Sequence, residues 1–298
     1  MAQAIEPVPT QNGRAGYRRP NRGRDFFIAL VTSPSGLAGC LIVCLLILVG
    51  IFGQWLVPFN PMKAQMDHKL LPPMAQGHLM GTDQLGRDVF SRILIGARVS
   101  LTIGIVTAVC AGLIGTAVGV VAGYFRGWVD AVLMRLVDVQ LSFPFILLVL
   151  AVNAVLGGGL RNIIISLIIG GWVPFARVVR SEVLALREKE FILACRSIGV
   201  PKSQIILRHI LPNLLTPVIV LASLQVAAFI IAEASVSFFG FGVQPPQPAW
   251  GNMLSEGKDT IFSAWWMITF PGLAIVVTAL GVNLFGDWLR DFFDRESQ

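Results

Sequence analysis

Glu190-Phe191-Ile192-Leu193-Ala194-Cys195-Arg196-Ser197-Ile198-Gly199-Val200-Pro201, closing with Ile210-Leu211-Pro212, is the longest strongly charged segment between the hydrophobic runs of this chain. Phe191, Ala194, Cys195 and Ile198 recur at i, i+3, i+4 and i+7 and so share one helical face. Gly199 stands where a left-handed C-terminal cap belongs, and Pro201 cannot continue the helix. A second short helix is expected from about Ser203 to His209, meeting Leu211-Pro212 at the mouth of the next apolar run. The segment is then either an amphipathic loop lying on lipid or a docking element for a partner on the water side.

Composition makes the rest of the chain membrane-embedded. Mean hydropathy is +0.73, with 55% hydrophobic and 13% charged residues, against about 25% charged in soluble domains. The net charge of +6 does not point to nucleic acid, because the basic residues cluster beside apolar runs. Cys40, Cys44 and Cys110 lie within apolar runs, where small-side-chain packing is expected rather than a metal or a disulfide. Gly81-Thr82-Asp83-Gln84-Leu85-Gly86-Arg87-Asp88 has P-loop spacing, but Arg87 and Asp88 replace the Lys and Ser/Thr that hold phosphate and magnesium. ATP hydrolysis by this chain is not expected, nor any bound cofactor.

Taken in order, residues 1–25 read as a polar cytoplasmic tail, and 26–98 as a first transmembrane helix (about Gly36 to Val57) with an external loop. Residues 99–290 read as the transmembrane domain proper, with a cytoplasmic loop at 181–211, and 291–298 as a cytoplasmic tail. Further spans are expected at about 100–122, 131–156, 162–179, 214–238 and 265–287, giving an all-α protein with six transmembrane helices. Thr82 or Asp83 is expected to cap an interfacial helix leading into the second span. Gly115, Gly119 and Gly123, four apart, allow close helix contact there. Gly170-Gly171 and Pro174 mark a kink in the fourth span. Intramembrane polar candidates are Arg135, Asp138, Glu233 and Asn283, with Arg135 and Asp138 spaced to pair and Glu233 near an outer end. With the N-terminus inside, 16 Lys and Arg fall on the inner side and 7 on the outer, which favours cytoplasmic termini.

Registered on Gly199 and Leu211-Pro212, the 190–212 segment resembles the "EAA" loop of binding-protein-dependent ABC importer permeases, with Leu193, Cys195 and His209 departing from the pattern. Gly81-Thr82-Asp83, Gly86-Arg87-Asp88, Ser91-Arg92 and Gly96-Ala97-Arg98 resemble a signature of the dipeptide, oligopeptide and nickel subfamily. Gly240 to Leu254, with Gln244-Pro245-Pro246 and Trp250-Gly251, resembles a second signature, and Gly286-Asp287-Trp288-Leu289-Arg290-Asp291 a third, though Arg295 stands where Pro is usual.

The resemblance implies the type I importer permease fold and a transport subunit rather than an enzyme. It implies a bacterial inner membrane location, a second homologous permease, two ATP-binding cassette subunits that use ATP and magnesium, and a periplasmic or lipid-anchored solute-binding protein. Glu190, Phe191, Ala194, Cys195, Arg196, Gly199, Leu211 and Pro212 would form the coupling loop. Peptides are the implied cargo, with nickel chelates or glutathione-like peptides as alternatives. An ion-coupled secondary transporter and an intramembrane enzyme are the rival classes. The first would need midplane ion ligands in inverted repeats, and the second paired acids or a nucleophile and base at membrane depth.

Overall fold

In the computed structural model, which describes residues 22–296, every regular element among the described residues is helical, apart from one isolated bridge between Thr82 and Asp88. The expected tail at 1–25 falls almost wholly outside the described residues. Its end already belongs to a helix, α1 (Arg22–Thr32). α2 (Pro34–Leu56) follows at once, with the Ser33 side chain accepting from Gly36 N at 3.2 Å and Pro34 in the first turn. Its 23 residues reach about 35 Å, enough to span a bilayer.

α3 (Val89–Phe125) merges the expected interfacial helix and second span into one helix of 37 residues, about 55 Å long. The cap is Asp88, which accepts from Ser91 N, and not Thr82 or Asp83. Asp83 is already committed, accepting from Leu85 N and Arg87 N at 2.8 and 2.9 Å to fold the turn before the helix.

Only Arg126 separates α3 from α4 (Gly127–Leu141), so the loop expected at 123–130 is a single residue. The third span is not one straight helix. α4 and α5 (Phe145–Leu156) meet at 87° across Ser142–Pro144, because Pro144 has no N–H to extend α4 and disfavours helical backbone at Phe143. α6 (Leu160–Gly171) and α7 (Val173–Arg187) form one span with a break at Trp172, where the kink was expected.

α8 (Glu190–Ser197) and the short α9 (Lys202–Ile205) come next. The expected separate second helix does not stop at His209. α9 runs through one π-helical turn, Ile206–Ile210, directly into α10 (Leu211–Phe238). α11 (Trp250–Gly257) lies in the outer loop, and α12 (Trp266–Glu296) continues through the expected tail at 291–298 to the last described residue. Among the described residues, five helices are long and apolar enough to cross a membrane, or six crossings if the bent pair counts as one. The chain is a multi-pass membrane protein.

α3 is the central post: α7 and α10 pack along it, and α12 bridges α10 and α2. The α3–α7 seam depends on missing side chains. A Cβ on Gly115 would lie 2.4 Å from the Trp172 carbonyl oxygen, and one on Gly119 2.7 Å from that of Ala176. At one end of the molecule Trp288 of α12 abuts Gly36 of α2. At the other, Gly53 of α2 abuts Leu94 of α3, and Trp266 Nε1 donates to Thr82 O at 3.0 Å.

Candidate functional site

The 188–211 hairpin sits at the end of the bundle where α3 and α7 finish. Its inner side is apolar: Ile192, Ile205, Ile210 and Leu214 are buried against Val120, Tyr124, Val179 and Val183. Polar ties fix its base. Arg187 Nη1 donates to Tyr124 O at 2.6 Å, Arg126 Nη2 bonds Glu188 at 2.9 Å, and the Arg196 guanidinium lies 5.5 Å from the Tyr124 ring centre. Gly199, at φ +77°, ends α8 with two bonds: Val200 N to Cys195 O at 3.0 Å and Gly199 N to Arg196 O at 3.1 Å. This is the Schellman arrangement, which satisfies the last carbonyls of α8 and turns the chain back.

The buried anchor of α8 is Ile192, a residue the sequence pattern did not single out. The face expected from Phe191, Ala194, Cys195 and Ile198 is split. Phe191, Ala194 and Ile198 are exposed, Ile198 at 79%, whereas Cys195 is half-buried with Sγ 3.9 Å from His209 Nε2. Cys195 and His209, two departures from the family pattern, are therefore neighbours across the hairpin. With Leu193 and Leu207, Phe191 and Ile198 leave four large apolar side chains exposed on this polar end of the molecule. Glu190, Gly199 and Pro212 are exposed too, while Arg196 and Leu211 are half-buried.

At the opposite end, the residues of the Gly81–Arg92 signature are packed inside the protein. Asp83 Oδ2 receives Arg87 Nε at 2.7 Å and also Arg92 Nη1. The same arginines reach Glu256 of α11, Arg87 Nη2 at 3.0 Å and Arg92 Nη1 at 2.5 Å. Two cations and two anions thus balance within one buried cluster. Asp88 takes His78 Nδ1 at 2.8 Å and Ser91 Oγ at 2.7 Å, and Thr82 Oγ1 accepts from Leu71 N at 2.8 Å. Gly86, at φ +74°, has room for no side chain, since a Cβ would fall 1.8 Å from Gln65 O.

The second signature closes over this cluster. Trp250 is 1% exposed and its Nε1 donates to Ile93 O at 3.0 Å, and Gly251 lies flat against Ala234 and Ser237 of α10. Gln244 Nε2 donates to Gly242 O at 3.1 Å, while Pro245 and Pro246 are exposed. Glu256 escaped sequence reasoning. Within the signature Asp88 is taken up by His78 Nδ1 and Ser91, which leaves Arg87 and Arg92 with Asp83 alone, and the second carboxylate comes from 164 residues beyond Arg92.

The intramembrane polar residues are redistributed. Arg135 and Asp138 do not pair. Asp138 bonds Arg177 of α7 at 3.1 Å, because α7 presents a guanidinium to the face that carries Asp138, and Arg135 points to the exposed side with no ion pair among the described residues. Asp130 and Arg180, which sequence reasoning passed over, make a two-point contact at 2.5 and 2.6 Å beside it. Glu233, which the sequence allows either to line a path or to face water at the interface, does not face water. It is 0% exposed, sealed between α10 and α3, and accepts from Ser237 Oγ at 2.6 Å and Ser100 Oγ at 3.3 Å. Asn283 is exposed on α12. No group of three or more metal-ligating side chains occurs among the described residues.

Residues 115–297 match the family described as binding-protein-dependent transport system inner membrane component, and residues 21–73 match the N-terminal transmembrane domain of oligopeptide transport permease C. The chain is 41% identical to the dipeptide transport system permease protein of Alkalihalophilus pseudofirmus, over 93% of this chain and 91% of that protein. It is 40% identical to the glutathione transport system permease protein of Pectobacterium atrosepticum, over 91% and 90%. A probable D,D-dipeptide transport system permease protein of Escherichia coli is 38% identical, over 89% of each. The fold is similar to a chain of the MetNI methionine ABC transporter in an inward-facing conformation. The TM-score is 0.56 at 20% identity, over 67% of this chain and 95% of that one.

Proposed function

Because the chain belongs to the family of binding-protein-dependent transport system inner membrane components, we propose that it is one of two permease subunits of an ATP-driven importer of peptides, with the 188–211 hairpin as its contact to an ATPase subunit. The observation that carries this reading is the hairpin itself. It is a capped element that leaves Phe191, Leu193, Ile198 and Leu207 exposed at the end of the bundle, an apolar set that suits a protein partner. Two ATP-binding cassette subunits would close on ATP and magnesium, press on α8 and, through α3, α7 and α10, shift the bundle between two arrangements. A second permease would complete the path, and a solute-binding protein would deliver cargo at the end built by the two signature loops. The relatives' names favour peptides. The one named for glutathione supports a second reading in which the cargo is a glutathione-like peptide.

The test uses Ile198→Cys in a chain whose four native cysteines are replaced by serine. A membrane-impermeant maleimide added to inside-out vesicles should label it in the permease alone and fail to label it once the ATPases are bound. Equal labelling in a complex shown to be assembled overturns the docking assignment.

A further inference from the structure

Gln225 stands at the midpoint of α10, half-buried, and its side-chain amide makes no hydrogen bond among the described residues. It borders a half-enclosed cavity of about 430 Å³ whose wall includes Gln140, Phe145, Gly170, Pro174 and Phe229. That volume lies within the range of about 300–1,000 Å³ typical of small-ligand sites.

Backbone chemistry opens this space. The turn at Pro144 swings α5 away from the axis of α4, and Gly170 and Gly171 contribute no side chains. Pro174 has no N–H to give the Gly170 carbonyl four residues back. Gln140 repairs this, its Nε2 donating to Gly170 O at 2.9 Å and Ile169 O at 2.8 Å. The NH2 group of Gln140 is therefore occupied with its neighbours, whereas the Gln225 amide at the cavity has no hydrogen bond among the described residues. An unpartnered amide in the middle of a membrane span is costly. A second cavity, about 550 Å³ between α3 and α10, is aliphatic apart from the hydroxyl of Thr116.

We infer that Gln225 contacts the peptide in transit, donating to a substrate carbonyl and accepting from a substrate N–H. This rests on the peptide-import reading. A primary amide is complementary to a peptide bond and takes no account of the side chains on either side of it. That suits relatives named for dipeptides, D,D-dipeptides and glutathione, whose shared feature is the amide backbone. The Phe145 and Phe229 rings, 6.4 Å apart, supply the apolar wall that keeps water from competing for the bond.

The experiment compares wild type with Gln225→Leu in proteoliposomes holding the assembled transporter, its solute-binding protein saturated by either of two radiolabelled probes. These are alanyl-alanine and alanyl-sarcosine, the second lacking the peptide N–H. In wild type, alanyl-alanine should enter faster. Gln225→Leu should assemble and hydrolyse ATP normally, lose about tenfold of alanyl-alanine uptake, and bring the ratio of the two probes towards one. Uptake and ratio unchanged by Gln225→Leu overturn the assignment. So does loss of assembly, which would make Gln225 a contact to the second permease. A wild-type assembly that imports neither probe overturns instead the peptide reading beneath it.

Discussion

Asp83 accepts from Arg87 and Arg92 on one oxygen and from two backbone amides on the other, so its removal would undo both a charge balance and a turn. Arg87 and Arg92 are 7% and 2% exposed, too deep for water to replace the lost anion. Asp83→Ala should therefore destabilise the protein by about 3–5 kcal/mol, read as a fall in the midpoint of thermal unfolding in detergent. Glu256 has the more exposed carboxylate, at 26%, and Glu256→Gln should cost less. Combining Glu256→Gln with Arg92→Met should cost less than the sum of the two, and strict additivity would remove the coupling between them. The part played by Glu256 was not legible in the signature alone, because Arg92 and Glu256 are separated by 164 residues. Arg135 and Asp138 teach the same lesson in reverse. Helical spacing made their pairing available, and Arg177, on another helix, took the carboxylate.

The hairpin shows which element-level features a sequence carries. Gly199 and Pro201 specify a helix stop, and the structure forms it with both bonds of the cap. The seam glycines of α3 were legible for the same reason: four-residue spacing is a property of one helix. The bend at Pro144 was only half legible, since proline marks a break but the surrounding helices set its angle. The run of α9 into α10 was hidden, as Pro212 suggested a boundary yet sits in the first turn of α10 without stopping the helix. Gly199 gives this element its own prediction. No atom lies within 4 Å of the point a Cβ would occupy there, so a substitution acts through φ alone. Gly199→Val should cost about 1–2 kcal/mol of local stability, reduce ATPase retention on affinity purification and slow ATP-driven uptake, with membrane insertion intact. Gly199→Asn, which tolerates the left-handed region, should keep most of both. Equal loss in the two variants would mean that the cap geometry is not what matters.

Charge and helix path both bear on which elements share a side of the membrane. The first is charge: the topology expected from the sequence, with the N-terminus inside, puts 16 Lys and Arg on the inner side and 7 on the outer. The second is the path of the helices. α2 starts beside Trp288 of α12 and ends beside Leu94 at the start of α3, so the start of α2 and the late part of α12 lie at the end towards which α3 runs. That is where Tyr124, Phe125 and the hairpin are found. The outer loop is tied to the opposite end through Trp250 and Ile93. The late part of α12 and the hairpin therefore lie at one end of the molecule, and the loop around Gln247 at the other. If the hairpin meets cytoplasmic ATPases, a reporter active only in the cytoplasm should be active when fused after Gln298 and inactive when inserted at Gln247. A periplasm-active reporter should give the converse. Activity of one reporter at both positions would contradict the helix path, whereas a clean inversion would leave the fold intact and take the hairpin away from the ATP-consuming side.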